Sequence, residues 1–531
     1  MKTTSIIIAI LTAWSAVTLP AHAKERPIPS LVQKEGRYAL MVDNAPFLML
    51  GAQVNNSSAW PAMLPKVWPA IEYLHANTVE IPIYWEQFEP RQGQFDYTLV
   101  DTILSQARAH RVHLVLLWFG TWKNGSQHYM PEWMKLDPGR YFHVIDKNGR
   151  PADSPSPFAT ASLEADIRAF TAFMRHLKAV DSQRTVLLVQ VENEPGTWGT
   201  LRDYSTVAQK LFEAPVPADI LKAMNQQAGA PSANWQDVFG PEAEVCFHAW
   251  AVARYVGQVA AAGKAVYPLP LYANAALRDP LKPGAPGSYE SGGPTDNVIP
   301  IWKAAAPALD IVAPDIYMND SAQYLKVLEL YHRPDNALFV PETSSSANVA
   351  RFFFSALGLQ TIGFSPFGLD YTGTSRAITN SPEERLAPTA RNYRLIEPMM
   401  REIARLNFEG KLHAVAEETN QITQTLPFAS WNAIVSYGAS RNSRPRGNPE
   451  PTGRILVAQL KDNQFLVAGF FCRVDFRPAD NNKRRQFLRV EEGTYENSVF
   501  KFGRILNGDQ TDWGLNFGSE PLVLRVSVAT Y

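Results

Sequence analysis

Two glutamates occupy the positions in this chain best suited to chemistry, each at the end of an apolar, β-branched run. Glu194 closes Val186-Leu187-Leu188-Val189-Gln190-Val191-Glu192-Asn193-Glu194, and Glu342 closes Ala337-Leu338-Phe339-Val340-Pro341-Glu342. Such runs read as buried strands of a parallel sheet, and in a (β/α)8 barrel the carboxyl ends of the strands carry the reacting groups. Two carboxylates placed there suit glycoside cleavage. One protonates the leaving oxygen while the other attacks or stabilises the positive charge that develops at the sugar carbon. Burying an unpaired carboxylate for structure alone is costly, which favours a working role for Glu194.

Strand alternation constrains the neighbours. If Gln190, Glu192 and Glu194 share one face, Asn193 points the other way, so Asn193 and Glu194 both enter a site only where the strand end bends. Pro195-Gly196 permits such a bend. Glu192 then reads as an inward layer residue or a hydrogen-bond partner of the site. Gln53, Asn55 and Asn56 follow a first strand, Trp118 and Trp122 a third, Tyr317 a sixth and Phe367 an eighth. Planar amides suit sugar hydroxyls and flat aromatic faces suit the apolar face of a pyranose, while core packing is the competing role for each of them. Glu86 and Glu89 fit a salt bridge or a loop brace better than catalysis.

The elements that must position these residues are legible as alternating β-rich and helical runs from about 37 to 406. Eight strands are expected, at 47–53, 78–83, 112–118, 186–194, 269–274, 310–315, 337–342 and 361–365. Amphipathic segments lie between them, at 97–110, 163–179, 246–262 and 321–331. The stretches 200–242 and 280–294, rich in Pro and polar residues, are long loops expected to shape a cleft at the catalytic ends. After Leu406 the pattern changes to short strand-like runs divided by Asn, Asp, Gly and Pro, which predicts an antiparallel β-sandwich over 407–531. Arg441–Pro451 reads as an exposed hairpin loop. At the other end, Lys2, the apolar stretch Ile6–Leu19 and Ala21-His22-Ala23 form the pattern of a secretory signal over 1–23. The expected protein is therefore an exported one, periplasmic or secreted, with a barrel over 24–406.

Composition narrows the partners. The 531 residues are 46% hydrophobic, enough for a large core, and 50 Lys and Arg against 51 Asp and Glu give a net charge of -1. No global field draws nucleic acid or anionic lipid, and no later apolar run reaches the ~18 residues of a membrane span. The ten His include no H-x-x-x-H spacing and the two cysteines, Cys246 and Cys472, no zinc spacing, so neither a metal nor an organic cofactor is called for. The cysteines, far apart in sequence, read as two buried thiols rather than a bridge.

The residues around the two glutamates resemble a known group. Gln190-Val191-Glu192-Asn193-Glu194 is similar to the acid/base segment of the glycoside hydrolase family 35 β-galactosidases, with family 42 as a near neighbour. Phe88-Glu89-Pro90-Arg91-Gln92-Gly93-Gln94-Phe95-Asp96 resembles the E-P-x-x-G-x-[FY]-[DN] stretch that follows the second strand in both families. The resemblance implies a retaining barrel hydrolase with Glu194 as general acid/base, Glu342 as nucleophile and Asn193 as donor to the sugar 2-hydroxyl. The chain departs from family 35 at Pro82, where many members carry Tyr, and at Trp118-Phe119-Gly120-Thr121-Trp122, where they carry an acidic sugar-binding residue. The expected activity is removal of terminal β-D-galactose from oligosaccharides such as plant cell-wall fragments of xyloglucan or galactan type. Two other readings stay open: another retaining exo-glycosidase acting on arabinosides, fucosides or mannosides, and an inactive sugar-binding barrel. The sequence specifies no oligomeric state.

Overall fold

The computed structural model describes residues 26–227, 229–373, 382–438 and 444–531. The expected signal, 1–23, and the start of the expected loop 441–451 lie outside them. Eight parallel strands close a barrel in chain order: β1 (Met49–Gln53), β2 (Thr78–Tyr84), β3 (His113–Lys123), β4 (Val186–Asn193), β5 (Leu271–Ala276), β6 (Ile311–Ile316), β7 (Val340–Thr343) and β8 (Gly363–Pro366). They are buried almost throughout, because inward side chains fill the barrel and outward ones meet the helices.

The helices follow the same logic. Val100, Ile103, Leu104 and Ala107, at three- and four-residue spacing, form the buried stripe of Thr98–Ala109. Ser321–Tyr331 begins at Asp320, whose carboxylate accepts the Gln323 N–H at 3.0 Å. A three-stranded antiparallel sheet, Ser30–Lys34, Arg37–Val42 and Ala45–Phe47, precedes the barrel and covers its amino-terminal end. There the Phe47 ring meets the edge of His113 at the start of β3, and Arg401 donates to the carbonyls of Val42, Ala45 and Pro46. That sheet was not legible in the sequence pattern.

The carboxyl-terminal part is a sandwich of antiparallel sheets. One sheet has six strands, in the order Leu412–Ala416, Arg454–Lys461, Gln464–Phe470, Leu522–Thr530, Arg485–Glu496 and Val499–Ile505. The other has four, Thr423–Pro427, Trp431–Tyr437, Cys472–Pro478 and Leu515–Phe517. Alternation divides the strand Arg454–Lys461 between two cores: Ile455 and Val457 face the second sheet, while Leu456 and Ala458 join the core of the barrel. Across this junction Phe354 meets Phe470 edge-on, the Arg454 guanidinium donates to Asn392 at 2.7 Å, and Arg351 donates to the Glu417 carbonyl at 3.0 Å. Cys246 and Cys472 are separate buried thiols. Among the described residues no helix is long and apolar enough to cross a membrane.

Candidate active site

The end of β4 is the distortion that alternation demanded. Glu192 and Glu194 both adopt left-handed backbone, with φ of 65° and 43°, on either side of Asn193. A non-glycine residue in that region costs about 1–3 kcal/mol, so the neighbours must hold it there. They do so from both sides. The Trp122 N–H donates to Glu192 Oε2 at 2.7 Å, the N–H groups of Asn124 and Gly125 donate to the carbonyls of Asn193 and Glu194, and Asn274 on β5 accepts the Glu194 N–H at 2.8 Å. Gly120 makes room for this, since a Cβ there would lie 2.5 Å from Trp118 Nε1 and 2.8 Å from Glu192 Oε1.

The bend turns consecutive side chains to different surroundings. Glu192 packs with Asp166 of the helix Thr160–Val180, a buried carboxyl pair in which burial, then the neighbouring acid, raises Glu192 well above the usual carboxylate range. Asn193 accepts from Lys123 Nζ at 2.8 Å through Oδ1, and its Nδ2 has no partner among the described residues. Glu194 enters the barrel mouth, where it meets Glu342 and Asp315. One carboxyl oxygen from each of the three lies within 4.8 Å of the others.

Glu342 at the end of β7 is held by donors on both oxygens. Gln53 Nε2 donates to Oε2 at 2.9 Å and the Tyr317 hydroxyl to Oε1 at 2.5 Å. Burial and then the Glu342 charge push the Tyr317 hydroxyl far up, so it stays a donor. Glu194 is pushed up to about 7, first by burial and then by the Glu342 charge, against the opposing pull of Lys123. Asp315 is raised well above the carboxylate range by burial and then by Glu342 and Glu194, and it shares a hydrogen bond with Glu194 when either is protonated. It also accepts from Asn274 Nδ2 at 2.6 Å. Deeper in the barrel, Glu80 of β2 reaches Tyr272 of β5 at 3.3 Å and is raised chiefly by burial.

Three carboxylates so placed have the reach to ligate a hard cation through oxygen. Donors hold both Glu342 oxygens, while burial and neighbouring charge raise Glu194 and Asp315, so the donor-held Glu342 stands opposite Glu194, a group that keeps its proton to higher pH than usual. Such a pair can donate a proton to one side of a bond while attacking from the other.

The structure thus brings Glu194, Glu342, Asn193, Gln53 and Tyr317 to one mouth. It does not bring the expected tryptophans there. Trp118 is fully buried among Phe88, Phe170 and Phe173 on the outer side of the barrel, with its indole N–H on Asp166. Trp122 is fully buried against Tyr255 and donates to Ser154. Neither has a face open to a sugar. Asn55 is likewise engaged: its backbone and side-chain N–H groups both bind Asp370, tying the loop after β1 to the one after β8. Asn56 and Phe367 are half-buried. Glu86 pairs with Lys135, and Glu89 accepts from Trp85 and from the Gly93 N–H, bracing its turn.

Lys123, Asn274, Asp315 and Glu290 belong to the site without having been singled out. Asp315 closes an expected strand and could have been found by the rule that pointed to the two glutamates. Lys123 lies on an irregular continuation of β3 that reads as loop. Glu290 comes from the long loop after β5, which pairs with the loop after β4 through Thr197 and Ser291. Its carboxyl is buried, raised by burial and then by the Glu194 charge. Two half-exposed rings, Trp60 and Trp198, stand on loops after β1 and β4.

Residues 389–518 match a family described as a domain of unknown function (DUF5597), which takes in the last barrel helices and most of the sandwich. No curated protein matches the chain. Solved structures similar to it include the β-galactosidase of Bacillus circulans sp. alkalophilus, with a TM-score of 0.50 at 9% identity over 90% of this chain and 99% of that one. The β-galactosidase of Rahnella sp. R3 gives 0.48 at 14% identity over 68% and 58%, and that of Marinomonas ef1 gives 0.47 at 12% over 67% and 61%. The alignment therefore spans less than two thirds of the latter two chains. At 9% identity the likeness to the Bacillus circulans structure is one of fold.

Proposed function

We propose that the chain is a retaining exo-β-galactosidase acting on terminal galactose of oligosaccharides, with Glu194 as general acid/base and Glu342 as nucleophile. The observation that carries this reading is an acid at about 7 whose carboxyl oxygen lies within 4.8 Å of a donor-held carboxylate. Retaining pairs stand about 5–5.5 Å apart, whereas inverting pairs leave about 6.5–9.5 Å for a water. In the first step Glu342 Oε bonds to the anomeric carbon as the glycosidic C–O bond breaks and Glu194 gives its proton to the departing oxygen. In the second, a water gives its proton to the Glu194 carboxylate and attacks the same carbon, releasing Glu342. Tyr317 and Gln53 orient the nucleophile, and the unpartnered Asn193 Nδ2 supplies a donor for the sugar 2-hydroxyl.

Galactose itself is supported by the sequence resemblance around Glu194 and Glu89. The mouth also suits a neutral sugar: Glu194, Asp315 and Glu290, all raised by burial, stand with Glu342 as hydrogen-bonding groups for hydroxyls. Export through the 1–23 signal, to the periplasm or beyond, fits an oligosaccharide substrate.

Azide rescue with an activated aryl β-galactoside tests the roles. Glu342→Gly should yield the α-galactosyl azide and Glu194→Ala the β-galactosyl azide; one anomer from both variants would overturn the assignment. A panel of nitrophenyl glycosides tests the sugar, with galactoside turnover below arabinoside, fucoside or mannoside turnover as the refuting result.

A further inference from the structure

The four-stranded sheet of the sandwich carries a second feature far from the barrel mouth in chemistry. Along Cys472–Pro478 the buried residues Cys472, Val474 and Phe476 face the core, so Arg473, Asp475 and Arg477 must share the outer face. Arg485 from the neighbouring sheet pairs with Asp475 at 3.0 Å, and Arg444 lines the groove from the connection between Trp431–Tyr437 and Arg454–Lys461, which joins strands of two different sheets and so is not the expected hairpin. Asp512 and Trp513 close the other side, and these residues line a groove of about 440 Å³. Trp513 is 50% exposed.

Among the described residues, four guanidinium groups line the groove against two carboxylates, an excess of positive charge on a chain whose net charge is -1. Concentrating arginines here, beside a half-exposed indole, exceeds what a solvated sheet face needs. Guanidinium forks match carboxylates bidentately, and an indole face matches the apolar face of a pyranose. The two aspartates decide the class of anion. A polyphosphate chain would bring a charge against each of them, whereas a sugar acid can set its hydroxyls on Asp475 and Asp512 and its carboxylates on the arginines.

We infer that this groove binds uronate-bearing glycans, with Trp513 stacking on a ring and Arg477 and Arg444 taking carboxylates. The site is opposite in charge to the barrel mouth. One molecule thereby holds an acidic polysaccharide through the sandwich while the barrel acts on neutral sugars attached to it. The binding step itself does not depend on what the barrel hydrolyses.

Oligogalacturonate titrated into the full-length protein by calorimetry tests this, with neutral galacto-oligosaccharide and single-stranded DNA as comparison ligands. Oligogalacturonate should bind, more weakly as salt rises, and the other two should not. Trp513→Ala and Arg477→Glu, both at exposed side chains, should each weaken binding at least tenfold with an unchanged melting temperature. Absence of oligogalacturonate binding, equal affinity in both variants, or tighter binding of either comparison ligand would overturn the inference. Failure of galactoside hydrolysis would bear on the barrel alone.

Discussion

Glu194 is an acid at neutral pH because two effects act in the same direction. Burial removes water from the carboxylate, and Glu342 adds a like charge within 4.8 Å; Lys123 and Asp315 offset only part of this. Moving from 4.5 to about 7 corresponds to about 3 kcal/mol in favour of the protonated form. With Glu194 as the proton donor, kcat/KM should fall tenfold per pH unit above about 7, a limb that belongs to the acidic trio as a unit. Measuring kcat/KM for an aryl galactoside with a poor leaving group from pH 5 to 9 checks it. The same shift has a stability sign. The folded carboxyl holds its proton where the unfolded one has lost it, so this contribution is complete below about 4.5 and disappears as pH rises through about 7. Glu194→Gln removes the loss. Its stability advantage over the parent in denaturant titrations should therefore be larger at pH 8 than at pH 4, by up to about 3 kcal/mol. An advantage independent of pH would contradict the assigned shift.

Strands that are buried on both faces announce themselves, which is why all eight barrel strands and the helix Ser321–Tyr331 were readable from apolar runs and spacing. Bent ends were not. The continuation of β3 through Phe119–Lys123 pairs irregularly with β4, so no alternation marks it, and Lys123 was hidden with it. Trp118 and Trp122 misled because an aromatic near a strand end looks alike whether it faces the mouth or the helix layer. In the sandwich, Gln464–Phe470 and Cys472–Pro478 follow each other with one residue between them yet belong to different sheets. A single residue, Phe471 with φ of 50°, carries the chain between the two sheets. The requirement that β4 bend was legible from Asn193 and Glu194 together; the means, Glu192 anchored to the Trp122 N–H beside Gly120, was not. Gly120→Ala should cost about 1–3 kcal/mol by overpacking and lower kcat by disturbing the bent end. Gly139→Ala, whose Cβ would meet nothing closer than 3.8 Å, is the matched control. Thermal melts and kcat of the two variants distinguish a local fit from a general intolerance of alanine.

The barrel and the sandwich share apolar surface through Arg454–Lys461 and Gln464–Phe470, strands buried on both faces along most of their length, so the molecule should unfold as one unit. Phe470 sits at the junction, edge-on to Phe354 and under the Arg454 guanidinium. Phe470→Ala should cost about 3–5 kcal/mol, with barrel and sandwich signals moving together in calorimetry and near-ultraviolet circular dichroism. Two separated transitions would show that the halves stand alone. Charge is distributed unevenly over this single body, acidic at the barrel mouth and basic in the sandwich groove, although the total is near zero. Both native cysteines lie inside it, and burial pushes the Cys246 thiol up to about 12 and the Cys472 thiol higher. Maleimides and other thiolate-seeking reagents therefore find no native handle on the folded protein. One cysteine introduced on the rim, in place of Trp60 or Trp198, would take a fluorophore alone, making the protein a ready scaffold for site-specific conjugates that report occupancy of the mouth by emission.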